Sequence, residues 1–190
     1  MFDIDTLVAD CRTAVADADP RSAIREVLTR TVAKANDVAG ALGKDEGGIN
    51  LLYNAGDLTI LNVIWAPKMR IFPHDHRMWA AIGIYGGAEA NTITRRGEER
   101  LQEAGGRLLD VGDVFSLGAD AIHSVDNPRT VFTGAIHVYG GDFVNQPRSQ
   151  WDPDTLLEEP YDIDEVRRLF AQANDNWRQQ LGSDLDESTD

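Results

Sequence analysis

The 190-residue chain has four histidines, and their spacing raises the first chemical question. His74 and His76 stand in PHDHRMWAAIGIYGG (73–87), His123 in GDVFSLGADAIHSVDNP (112–128) and His137 in GAIHVYGGDF (134–143). Residues i and i+2 of a strand share a face, so His74 and His76 project side by side while Asp75 points away. Two imidazoles on one wall hold a metal ion once a third ligand arrives from elsewhere, and histidine is the commonest protein metal ligand. All four histidines fall in segments that read as strands.

Those segments occupy residues 47–145. Short runs rich in Val, Ile, Thr, Tyr and Trp alternate there with glycine-containing turns: LTILNVIWAP (58–67), WAAIGIYGG (79–87), EANTITRR (89–96), GRLLDVGDVFSL (106–117), AIHSVDN (121–127) and TVFTGAIHVYGGDF (130–143). Many short strands at this spacing predict an antiparallel sandwich or barrel. Residues 1–45 read as helical. Ile4, Leu7, Val8, Cys11 and Val15 recur at helical steps, and a second helix starts at Pro20, carries Ile24, Val27, Leu28 and Val32, and ends at Gly40 or Gly43. A proline-punctuated stretch follows the barrel. A C-terminal helix capped by Asp162 or Asp164 then carries Val166, Leu169, Phe170 and Trp177. The expected organisation is a single domain over 1–190. It comprises helices in 1–45, a β core in 47–145, a helical extension in 151–182 and an acidic tail in 183–190.

Bulk properties narrow the function classes. The formal net charge is −14, from 32 acidic and 18 basic residues, which disfavours nucleic acid and anionic membranes as partners. No apolar run reaches the ~20 residues of a membrane span, and the acidic start does not read as a signal peptide. One cysteine, Cys11, permits no internal disulfide, consistent with a cytoplasmic location. Oligomeric state is left open.

The histidine segments resemble the two motifs of the cupin superfamily, a double-stranded β-helix (jelly-roll) barrel. His74 and His76 match its H-x-H, and Gly87 matches the closing glycine of the first motif. Lys68 stands where that motif opens with glycine. Gly112, His123 and Asn127 match the second motif, whose central turn reads GAD (118–120) here. Ala80 and Ala81 occupy the place of the glutamate ligand of most cupins. The implied metal set is therefore His74, His76 and His123.

Such a set resembles the cysteine dioxygenase-like thiol dioxygenases. A tryptophan-ended strand precedes the H-x-H, here ILNVIW (60–65). A later strand carries H-x-Y, here His137 and Tyr139. Ala135 replaces a serine common before that H-x-Y, and Ala81 excludes a cysteine–tyrosine crosslink. The resemblance implies a mononuclear Fe(II) enzyme that oxidises a small thiol with O2 to a sulfinic acid, with His137 and Tyr139 as catalytic residues. Three neutral ligands suit an anionic substrate that supplies the missing charge; they would also accept Zn, Ni, Mn or Co.

The substrate is the least specified part. NLLYNAGDLT (50–59) lacks the arginine that clamps the cysteine carboxylate in mammalian-type members. Arg148, nine residues after Tyr139, is the leading substitute, followed by Arg70, with Arg77 least favoured; Tyr53 and Trp79 are candidate pocket residues. Arg70 would share the face of His74 and His76 only if Pro73 leaves the strand unbroken. Two other readings are a three-histidine dioxygenase of a chelating substrate such as a β-diketone, and a cupin that binds metal or ligand without turnover.

Overall fold

Two antiparallel sheets face each other, and the side chains between them alternate along each strand. The structure, a computed structural model, describes residues 1–43, 45–98 and 100–187. One sheet contains β1 (Gly48–Asn54), β2 (Thr59–Trp65), β4 (Ala80–Gly86), β7 (Val114–Leu117) and β9 (Thr133–Tyr139). The other contains β3 (Arg70–Asp75), β5 (Ala88–Arg96), β6 (Leu101–Asp110), β8 (Ile122–Asp126), β10 (Ser149–Trp151) and β11 (Glu158–Pro160). Their orders are β1-β2-β9-β4-β7 and β11-β10-β3-β8-β5-β6. The eight strands β2–β9 thus run 2-9-4-7 and 3-8-5-6. That is the two-sheet order of a jelly roll, and the double-stranded β-helix expected from the histidine motifs is the observed fold.

The inward faces form one core. Leu61, Val63 and Trp65 of β2, Ala80 and Ile82 of β4, Val125 of β8, and Ala135 and Tyr139 of β9 share a single apolar cluster. Closing the barrel requires sharp turns. Gly87 follows β4 at φ +67°, where a Cβ would come within 2.3 Å of Thr133 Oγ1 and 2.8 Å of the Phe132 carbonyl. Lys68, at the position of the motif's opening glycine, adopts φ +61° as well, so this turn keeps its left-handed geometry without the glycine. Asn127 holds the neighbouring loops. Its amide donates to the carbonyls of Trp65, Ala66 and Val131 at 2.8–3.1 Å.

Helices cover the outer face of the first sheet. α1 (Ile4–Val15) and α2 (Pro20–Val32) are capped by Asp3 and Asp19, and the predicted second helix divides, with α3 (Ala35–Leu42) as a separate piece. The break at Ala33–Lys34 lets α3 turn and bury Val38 beside β4. Ile60, Ala81, Tyr85, Ile136 and Val138 from the sheet meet Ile24, Leu28 and Val32 from the helices in a second cluster. A Cβ on Gly83 would lie 2.9 Å from Val32 Cγ1, so this glycine sets how closely α2 approaches β4.

The C-terminal extension differs in part from expectation. Residues 149–160 form β10 and β11, and helix α4 (Ile163–Glu187) begins only after them. Asp162 accepts from the Asp164 amide, as expected of a cap. Val166 and Phe170 are buried, Phe170 stacks on Trp65 at 5.4 Å, and Asn174 exchanges two hydrogen bonds with Gly47. α4 continues through residue 187, within the expected tail, because a nucleated helix gains a backbone hydrogen bond with each added residue. Residues 188–190 lie outside the described residues.

Candidate metal centre

His74 on β3 and His123 on β8 are direct cross-strand partners, and His76 follows the end of β3. Ring centroids of the three are separated by 4.7–5.1 Å, and their potential ligand atoms all lie within 4.8 Å of one another. All three are buried. Burial holds each ring in its neutral, metal-competent form: desolvation lowers His74 to about 4 and takes His76 and His123 well below the ordinary value.

Outer partners set two tautomers. His74 Nδ1 donates to the Phe72 carbonyl at 3.1 Å, and His123 Nδ1 donates to Asn91 Oδ1 at 2.7 Å. Both rings therefore keep an Nε2 lone pair free for a ligand. His76 and His123 bring their Nε2 atoms 3.1 Å apart, and His76 Nδ1 is buried without a partner among the described residues. Two neutral nitrogens held this closely are well suited to sharing one cation. The donor set of three imidazoles fits a divalent transition metal and does not distinguish iron from zinc, nickel, manganese or cobalt.

Two residues that sequence reasoning missed tie this cluster to the H-x-Y segment. Glu89 and Asn91 lie two apart on β5 and point between the sheets; Glu89 is fully buried. Asn91 Nδ2 donates to Glu89 Oε1 at 2.9 Å, and Trp65 Nε1 donates to Glu89 Oε2 at 2.7 Å. His137 Nε2 lies 3.3 Å from the same oxygen, and His137 Nδ1 lies 3.2 Å from the Tyr139 hydroxyl. Desolvation pushes Glu89 up, but the facing His137 ring and three hydrogen bonds outweigh it, and the net shift is downward. Glu89 is thus an ionised hub between His123 and Tyr139. Burial pushes the Tyr139 phenol up, against the lowering pull of Arg148, so its hydroxyl stays protonated at neutral pH. A strand-start glutamate after the closing glycine, with asparagine two residues on, was the available signal.

The cluster opens into a cavity of about 530 Å³ lined by His74, His76, His123, His137 and Tyr139. Arg148 lines it too. Its guanidinium lies 3.9 Å from the ring centroids of both Phe143 and Tyr161, and Nη1 donates to the Phe143 carbonyl at 2.7 Å. Nε is buried without a partner among the described residues, and no carboxylate pairs with this cation there. Asp75, between the two histidines of the H-x-H, accepts the Ser149 amide at 2.8 Å and so fastens the Arg148 segment to the histidine strand.

The other proposed substrate residues stand elsewhere. A bulge between Ile71 and His74 shifts the register of β3, so Ile71 lines the cavity and Arg70 turns outward to pair with Asp126. Arg77 pairs with Asp75 at 2.6 Å, outside the cavity lining. Tyr53 borders a surface hollow beneath α1. Trp79 packs over Gly140, where a Cβ would come within 2.0 Å of its Cε2 atom, and belongs to the helix-facing cluster. Cys11 is buried in that cluster, and burial pushes its thiol up to about 12, so it is inert.

No family model matches the chain, and no curated protein matches it. Solved structures do resemble it. An RmlC-like cupin with a double-stranded β-helix fold from Methanocaldococcus jannaschii aligns at 10% identity and TM-score 0.46, covering 54% of this chain and 86% of its own. A cupin domain from Bordetella pertussis aligns at 12% identity and TM-score 0.39, covering 50% and 94%. An oxalate oxidase aligns at 14% identity and TM-score 0.41, covering 52% of each chain. These superpositions are too loose to bear on activity, and the fold assignment stands on the strand order: the chain is a double-stranded β-helix with a three-histidine cluster that could hold a metal.

Proposed function

We propose that the protein is a mononuclear non-haem iron dioxygenase of the cysteine dioxygenase-like kind, which oxidises a small mercapto-carboxylate to its sulfinic acid. One observation carries this reading. Three neutral imidazoles converge with no carboxylate among them, beside a buried-edge guanidinium that has no anionic partner among the described residues. The overall change balances without a reductant: a thiol and O2 give R–SO2H, with sulfur losing four electrons and O2 gaining them. Bound iron would supply a site where thiolate and O2 meet.

The chain's own residues do the rest. Arg148 binds the carboxylate, its planar fork held between Phe143 and Tyr161. Glu89, as acceptor, fixes the hydrogen on His137 Nε2. In the neutral ring, Nδ1 then accepts from Tyr139 and turns the phenolic oxygen lone pairs toward the cavity. A β-diketone substrate would leave Arg148 without a role. Among the described residues no helix is long and apolar enough to cross a membrane. We place the enzyme in the cytoplasm, acting on a small thiol and O2 rather than on nucleic acid or membrane.

The test is oxygen uptake by the Fe(II)-loaded protein with cysteine, cysteamine, 3-mercaptopropionate, mercaptosuccinate and acetylacetone, with His74→Ala as control. Uptake with a mercapto acid, matched by sulfinate and absent in the variant, is expected. Silence with every thiol while iron is bound contradicts the reading.

A further inference from the structure

The cavity is much larger than a three-carbon mercapto acid needs. About 530 Å³ is the space of roughly 18 water molecules, and it falls in the range that encloses drug-sized ligands. Away from the histidines and Arg148 the wall is mostly apolar, with the aliphatic Leu61, Val63, Ile71 and Val125 and the aromatic Trp65, Phe143 and Tyr161. Gln146 and Arg167 are polar members of the rim, but most of it is aliphatic. Leu51 and Val144 border the cavity although each is 54% exposed, and Ile49 and Ile163 are likewise exposed there. Exposed aliphatic side chains gathered at a cavity mouth mark a place where apolar ligand surface leaves water.

We infer that the substrate is a mercapto carboxylate carrying an alkyl or aryl body, with its carboxylate on Arg148 and its apolar part along Leu61, Val63 and Val125 toward the Leu51–Val144 mouth. The thiol and carboxylate in this statement rest on the function proposed above; the apolar subsite does not. A buried guanidinium edge fixes one end, and each methylene that leaves water adds about fourfold in affinity. Polar mercapto acids of the same length lack that gain and lose hydration on entry.

The test is calorimetric titration of the metal-free protein with propionate, hexanoate, 3-phenylpropionate and hexanol, none of which carries a thiol. Hexanoate and 3-phenylpropionate are expected to bind at one site per chain, at least about 20-fold tighter than propionate. Arg148→Gln should weaken hexanoate at least about tenfold and leave hexanol unchanged. Leu51→Asp, at an exposed position that folding tolerates, should shrink the gain of hexanoate over propionate. Three acids within a factor of two of one another, or hexanoate binding indifferent to Arg148→Gln, would overturn the inference. The readout needs neither iron nor oxygen. A protein that shows the expected binding but consumes no oxygen with the corresponding thiols refutes the dioxygenase and leaves the subsite standing.

Discussion

The Glu89 carboxylate and the His137 imidazole meet 3.3 Å apart, both buried between the two sheets. The same carboxylate holds Asn91, which in turn orients His123. One side chain thus aligns a histidine of the three-histidine cluster and the partner of Tyr139. Glu89→Gln places an amide donor where only an acceptor stood, and it disturbs the His137 tautomer. The expected result is a 10–100-fold fall in kcat for thiol oxidation, with bound metal reduced far less. Parallel steady-state kinetics and metal analysis check this. An unchanged kcat would sever the link from Glu89 to Tyr139.

Glu89 also gives a pH signature. Its folded-state pKa lies below its unfolded value, so its ionised form contributes stability above about pH 4.5. As pH falls below that value the unfolded state takes up the proton first, and the contribution is lost on the way through the lower folded pKa. Metal-free wild type and Glu89→Gln should therefore differ more in unfolding free energy at pH 5.5 than below pH 4.5, where the gap shrinks. Urea titrations at each pH measure the difference. A gap that widens in acid would have the wrong sign.

Gly87 is fixed by space as well as by backbone angle. A methyl group there would enter Thr133 Oγ1, which bridges the Ala88 amide and carbonyl at 2.9 and 2.8 Å. Gly87→Ala is expected to cost about 3 kcal/mol or to prevent folding. The comparison is Gly118→Ala, where the added Cβ meets nothing within 4 Å. Equal stability of the two variants by urea unfolding would contradict the account.

Arg148 should act on binding rather than on the chemical step. Removing the cation leaves a substrate carboxylate unpaired in an apolar cavity, a loss of about 2–3 kcal/mol. Arg148→Gln is expected to raise KM about 100-fold for a mercapto acid and to leave KM for cysteamine, which has no carboxylate, within about threefold. Arg148→Lys should recover only part of the loss, because a lysine gives neither the fork nor the stacking between Phe143 and Tyr161. Steady-state oxygen uptake with both thiols reads the split.

The sequence showed the histidine cluster better than it showed its surroundings. His74, His76 and His123 were legible because strand periodicity and two spaced motifs agreed on them. The face assigned to Arg70 depended on an unbroken strand, and the bulge at Phe72–Pro73 moved Ile71 to the inside instead. Tyr53 and Trp79 read as aromatic pocket residues, yet the helices of residues 4–42 cover that side of the sheet. A single charged residue at a strand start reads as surface. Only the tertiary pairing of β5 with β8, opposite β9, shows that Glu89 points inward at Trp65 and His137. Arg148 was placed by its distance from Tyr139, while its aromatic sandwich depends on Tyr161, thirteen residues further on.

The most direct test of the central claim is the metal stoichiometry of protein loaded anaerobically with ferrous iron, compared among wild type, His76→Ala and His123→Ala. The account predicts one ion per wild-type chain and almost none in either variant, with the variants still folded by circular dichroism. Wild type that retains no iron, or variants that retain it equally, would contradict the three-histidine centre and the chemistry built on it.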